Sequence, residues 1–197
     1  MKKILIKVGS SVLLNEKHAL DELHIAHIAE QIAGLQKKGF GVVLVASGAV
    51  ACGRDILGVE SDIPADRQFA AGIGQPHLIG VLSEIFSKHH LIVAQILLTS
   101  DIFKSNVRKD NLFELLNLYI AKGVIPVINE NDAVELNSFA GNDFLAAEVA
   151  KLLKADKVLM LSTMAGSKHG VGGGKSKYEA VADLTSGGLN AVILDGK

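Results

Sequence analysis

The sequence has no tryptophan, and its few aromatic residues make up only 5% of the 197 positions. A core must therefore be assembled from Leu, Ile, Val and Ala, the composition that parallel sheets buried on both faces favour. One cysteine, Cys52, excludes an internal disulfide and suits a reducing compartment. Neither sign of charge is in excess, since 20 basic and 21 acidic residues give a net charge of -1. Bulk electrostatics thus offer nothing to nucleic acid, no such partner is expected, and any anion site must be local. Long apolar runs are missing too. The first, in MKKILIKVGS, is broken by Lys7, so neither a signal peptide nor a membrane span is expected and a soluble, cytoplasmic protein is. The histidines lack metal-ligand spacing and no G-x-S-x-G occurs, which leaves metallohydrolase and serine-hydrolase chemistry without a basis.

What is present is alternation. Apolar runs at Lys3 to Val8, Gly41 to Ala46, Leu91 to Leu98, Val124 to Ile128, Lys157 to Leu161 and Ala191 to Leu194 read as strands. Between them Ile25, Ile28, Ile32 and Leu35 recur at helical spacing, and Ala65 to Lys88, Asn111 to Lys122, Phe144 to Leu153 and Lys175 to Leu184 read as helices. Gly72, Gly74 and Pro76 predict a kink or break in the second of these. Strands alternating with helices mean βαβ units, hence one α/β domain over residues 1–197 with a mainly parallel sheet. After Leu161 the pattern fails, because Ser162 to Gly174 is glycine-rich without an apolar run.

Several strands end in small or polar residues. The first two run into Gly9-Ser10-Ser11 and Ser47-Gly48-Ala49, where small side chains let a ligand approach the backbone. The fourth breaks into Asn129, Glu130, Asn131 and Asp132, a cluster no buried strand is expected to choose, and Gly141-Asn142-Asp143 opens the next helix. In open α/β sheets ligands bind beyond the carboxyl ends of the strands, so a small-molecule crevice is expected there. Asn129, Asn131, Asp132, Asn142 and Asp143 can recognise an amino group or carboxylate or hold Mg²⁺ through water; equally, Asn142 or Asp143 can simply cap a helix. Ser47 and Gly48 offer a hydroxyl and N–H groups to a carboxylate, or form an ordinary turn.

Two features bear on phosphate. Gly170, Val171, Gly172, Gly173, Gly174, Lys175, Ser176 and Lys177 place glycines before a helix start, where backbone N–H groups and lysines can hold phosphate oxygens. The run departs from a Walker A loop, which needs glycine where His169 stands, and a flexible linker is the other reading. Lys7, one residue before a strand end, can place its ammonium at the crevice mouth, where phosphoryl transfer needs positive charge; alternatively it is an edge-strand lysine facing water.

With IKVGSSVL, VLVASGAVACG, AAGIGQ, QILLTSDIF, GVIPVINENDAV and GSKHGVGGGKSK in place, the chain resembles the amino acid kinase family nearly end to end, and its glutamate-phosphorylating members most. The resemblance implies a three-layer αβα sandwich with ATP over one half of the strand ends and L-glutamate over the other. It implies that Lys7 and Lys177 flank the transferred phosphoryl group and that Asp143 organises them. Ser47, Asp132 and Asn142 match substrate-binding positions. Gly170 to Gly174, Lys175, Ser176, Ser162 and Thr163 fall on the ATP side. The implied reaction needs ATP and Mg²⁺, yields γ-glutamyl phosphate on the way to proline, and goes with a homo-oligomer, dimer or tetramer. The alternatives are another acid or phosphate kinase of this fold and a non-catalytic regulatory homologue; retention of Lys7 and Lys177 argues against the latter.

The pattern also has departures. Gly141 stands where the family has aspartate, and Thr163 where it has another. Several dozen residues usual in the family are absent between Gly166 and Ser167, as is its closing segment after Lys197. A chain this short is expected to bind ATP poorly.

Overall fold

The computed structural model describes residues 1–163 and 173–197. Among them six strands, β1 (Lys3–Val8), β2 (Gly41–Ala46), β3 (Ile92–Leu98), β4 (Val124–Glu130), β5 (Lys157–Ser162) and β6 (Ala191–Asp195), form one sheet in the order β3-β4-β2-β1-β5-β6. Every pairing is parallel, so all six carboxyl ends open to one edge. From β1 the chain moves to β2 on one side, and from β5 to β6 on the other. The crevice of this switch in direction lies beyond β1 and β5.

Helices cover both faces. On one lie α1 (Ser10–Leu13), α2 (Glu22–Lys37), α3 (Ala49–Leu57) and α4 (Pro64–Ser87), packing Ile25, Ile32, Leu82 and Phe86 against Ile4, Ile6, Val8 and Leu44. On the other lie α5 (Asn106–Ala121), α6 (Asn142–Leu153) and α7 (Gly173–Ser186), with Leu116, Leu145, Val149 and Leu184 over Leu5, Val43, Val45 and Val158. The result is an αβα sandwich whose two cores are almost wholly aliphatic. Because side chains alternate along a strand, Lys7 follows Leu5 onto the α5 to α7 face.

Three expectations are corrected. Strand β4 continues two residues past Ile128, and Asn129 and Glu130 are only 2% and 3% exposed. A buried strand does accept them because their polar atoms find partners, as the site below shows. No break interrupts α4, although Pro76 lies inside it. One of its glycines serves contact with a helix the sequence did not announce: a Cβ on Gly74 would strike the carbonyl oxygen of Ala49, and one on Gly53 of α3 the carbonyl oxygen of Ala70. α3 and α4 therefore touch backbone to backbone, which fixes where α3 begins. Finally, α6 is not capped by Asn142 or Asp143. Its N-cap is Gly141, with no side-chain cap bond, and both polar residues lie inside the helix.

Candidate active site

Lys7 sits on a strand flanked by β2 and β5 and is 5% exposed, so the water-facing alternative falls. Its Nζ lies 2.6 Å from Oδ1 of Asp143, which is equally buried in the first turn of α6, where the helix field favours an anion. The second oxygen, Oδ2, accepts a 2.7 Å hydrogen bond from Ser176 Oγ of α7. One carboxylate thus ties β1, α6 and α7 together. Burial pushes the Lys7 ammonium below the ordinary lysine range, Asp143 draws it back, and the charge of half-buried Lys177 adds to the lowering. The two ammonium groups are therefore near enough to feel each other. Gly9 closes the same spot, since a Cβ there would stand 3.7 Å from Lys7 Nζ.

Beyond β2 and β4 a polar chain crosses the crevice. Gln75 of α4 accepts from Asn129 Nδ2 at 2.9 Å, and Asn129 Oδ1 accepts from Asn142 Nδ2 at 2.9 Å. Asn142 Nδ2 donates its other hydrogen to Ser47 Oγ at 3.1 Å, while its Oδ1 accepts from the Glu130 N–H at 3.3 Å. Both Asn142 N–H donors are thereby taken by protein, while its Oδ1 keeps a second lone pair. Ser47, which accepts that bond, keeps its own proton for a ligand, next to the free N–H groups that open α3 behind left-handed Gly48. Asp132 accepts from the Asn137 N–H at 3.0 Å; burial pushes its carboxyl up, against the pull of that N–H and of Arg67 on α4. Glu130 accepts from the Phe139 N–H at 3.2 Å, and burial, foremost, raises its carboxyl to about 7.

On the other side of β1, Ser162 ends β5, 6% exposed, and Thr163 follows it. Gly173 and Gly174 form the first turn of α7. Lys175 points to solvent and pairs with Glu179 at 3.6 Å, away from Asp143. Gly170, Val171 and Gly172 lie outside the described residues. The structure thus brings together Lys7, Asp143, Ser176 and Lys177, and separately Ser47 and Asn142, the two groups meeting at the start of α6, whereas Asp132 lies on the loop before α6, bonded to the Asn137 N–H. Sequence reasoning gave no role to Gln75 and passed over Glu130. The signal available for each was its place in a quoted motif, Gln75 closing AAGIGQ and Glu130 within GVIPVINENDAV.

Among the described residues no group of three His, Cys, Asp or Glu side chains could hold a metal, and no helix is long and apolar enough to cross a membrane.

Compared with known proteins, residues 2–166 match the amino acid kinase family. The chain is 41% identical over 169 residues to glutamate 5-kinase of Shewanella amazonensis, covering 84% of this chain but only 45% of that one. It is 33% identical over 234 residues to glutamate 5-kinase of Clostridium tetani, covering all of this chain and 87% of the relative. The chain thus spans about half the length of some curated relatives and most of others. The second alignment is longer than the chain itself, so that relative carries stretches with no counterpart here. Among solved structures, isopentenyl phosphate kinase of T. acidophilum superposes with a TM-score of 0.66 over 100% of this chain and 92% of that one, at 15% identity, which speaks to the fold alone.

Proposed function

The chain belongs to the amino acid kinase family, and from that premise we propose that it transfers the γ-phosphoryl group of ATP to the γ-carboxylate of L-glutamate. The carrying observation is the buried Lys7–Asp143–Ser176 unit with Lys177 beside it, which holds positive charge at the strand ends and joins α6 one residue from the Ser47 and Asn142 network. The relatives named glutamate 5-kinase favour this acceptor over the other acids and phosphates that the fold serves.

A carboxylate oxygen of glutamate attacks the γ-phosphorus as the bond from that phosphorus to the β-bridging oxygen breaks, giving γ-glutamyl phosphate and ADP. The nucleophile is already ionised near neutral pH, so no general base is needed. The chain supplies alignment and charge: Lys7 and Lys177 neutralise the transferring group, and Asp143 keeps the buried Lys7 ammonium charged and fixed. On the acceptor side, the Ser47 hydroxyl and the first N–H groups of α3 suit a carboxylate, and Asp132 suits the ammonium group. Mg²⁺ would arrive held by the nucleotide's phosphates and water, because Asp143 is committed to Lys7 and Ser176.

On the nucleotide side, Ser162, Thr163 and the glycine run from Gly170 form the proposed ATP half, and Ser176 contributes by holding Asp143. We place the stretch missing relative to longer relatives between Gly166 and Ser167, where the family match stops. The test is steady-state kinetics of Asp132→Ala. The KM for glutamate should rise about tenfold or more, the loss of one charged hydrogen bond, with the KM for ATP unchanged. A change confined to ATP would place the substrates the other way round.

A further inference from the structure

We infer that Glu130 is a positioning residue, a latch that holds the loop of residues 131–141 closed on β4 and so sets Asp132 and Asn142 for the acceptor. The kinetic part of this inference rests on the function proposed above; the latch itself does not.

The geometry is that of a single residue gripping both ends of a loop. Its backbone N–H, at the last position of β4, is held by Asn129 Oδ1 at 2.9 Å and by Asn142 Oδ1 at 3.3 Å. Its side chain turns inward rather than to water, only 3% exposed, and accepts from the N–H groups of Phe139, at 3.2 Å, and Gly141 on the returning arm. Between the two arms Asp132 adds a second staple, to the N–H of Asn137.

That returning arm is held in a conformation that chains avoid. Asn137 and Ala140 have φ of 53° and 60°, and Gly141 has φ 118° with ψ 157°, a region open essentially to glycine alone. Such backbone persists only where its surroundings over-determine it. Here the N–H groups beside the strained positions converge on one acceptor. A carboxyl group suits that task because its oxygens can serve two donors, whereas an amide would turn its own donor toward one of them.

The charged groups around Glu130 are Asp132 on the loop, which opposes its ionisation, and Arg67 of α4 on the far side of Asp132; the start of α6 offers it only the neutral Asn142 side chain. Burial is the larger influence and brings its titration to about 7, with the two N–H donors pulling the other way. The closed loop therefore binds the Glu130 proton more tightly than an opened, solvated one would, and closure is favoured as pH falls through neutrality. The resulting signature is a glutamate KM that falls toward acid while kcat changes little.

The experiment is NMR of the wild-type chain across pH 5.5 to 8.5, following the Glu130 carboxyl carbon and the amide protons of Phe139 and Gly141, alongside kinetics of wild type and Glu130→Gln. Expected are amide shifts that share the midpoint of the Glu130 titration. Glu130→Gln should have a pH-independent KM for glutamate raised about tenfold over wild type at pH 8, with kcat within about threefold. Amide shifts indifferent to Glu130, or a Glu130→Gln enzyme with the wild-type KM profile, would overturn the latch. If the variant does not fold, the wild-type titration alone decides. Shifts that track Glu130 in a protein that phosphorylates no acceptor would leave the latch standing and remove the proposed reaction.

Discussion

Removing Lys7 strands a buried carboxylate, whereas removing Lys177 does not, and this separates structural weight from chemical weight at the site. Breaking a buried pair by deleting one partner costs about 3–5 kcal/mol, so Lys7→Ala should lose both turnover and stability in urea unfolding. Replacing the pair together, Lys7→Met with Asp143→Leu, should regain much of that stability and none of the turnover. Lys177→Ala is expected to fold as wild type with kcat down by orders of magnitude. Retained turnover in either lysine variant would remove its assigned role. The carboxyls give a second readout. Glu130 has a folded-state value raised from 4.5 to about 7, so the native state holds its proton more tightly than the unfolded chain does. The stability this contributes is fully present below about 4.5 and is lost as pH rises to about 7, and Asp132, also raised by burial, acts in the same direction. Measured by denaturant midpoints, wild type should therefore fall relative to Glu130→Gln over that window. Parallel profiles would mean that Glu130 titrates alike in both states.

At the scale of elements, the crossing of α3 and α4 sets the proposed acceptor side, since α3 starts two residues after Ser47. Gly74→Ala must push Ala49 away and should destabilise by several kcal/mol, as overpacking against backbone does, and should raise the KM for glutamate. Gly80→Ala, on the same helix with open space around its missing Cβ, should stabilise by about 0.5–1 kcal/mol. Equal effects of the two would show that the close crossing is not what these glycines serve. The same helices show what a sequence can convey. The five strands before Gly166 and the one after it were legible because parallel strands buried on both faces are continuous aliphatic runs. Their order, and the burial of Lys7, were not, because a lysine reads the same in an edge strand and a central one. The end of β4 was misread since Asn129 and Glu130 look like a turn until Gln75, Asn142 and the Phe139 N–H are known to meet them. α3 escaped notice because Ala49, Cys52 and Gly53 are small residues chosen for contact, not periodicity. Lys7, Ser47, Asp132, Asn142 and Asp143 stood out as candidates because polar and charged residues at strand ends have few reasons to be there in the sequence alone.

The molecule as a whole is shorter than the stretch of the Clostridium tetani relative that it matches, and in the proposed reaction the absent stretch falls on the nucleotide side. If that stretch serves base and ribose, the KM for ATP is expected above the usual upper range of about 1 mM, with glutamate binding in the ordinary range. Were the missing stretch irrelevant to nucleotide binding, ATP would saturate at micromolar levels. The central claim, phosphoryl transfer to a glutamate carboxylate, is tested most directly by trapping. The full chain is incubated with ATP, Mg²⁺ and hydroxylamine, and L-glutamate, acetylglutamate, aspartate or no acceptor is supplied in turn. Hydroxamate formed with glutamate alone is the expected result. Folded protein that forms hydroxamate with none of them, or with a different acceptor, would contradict it.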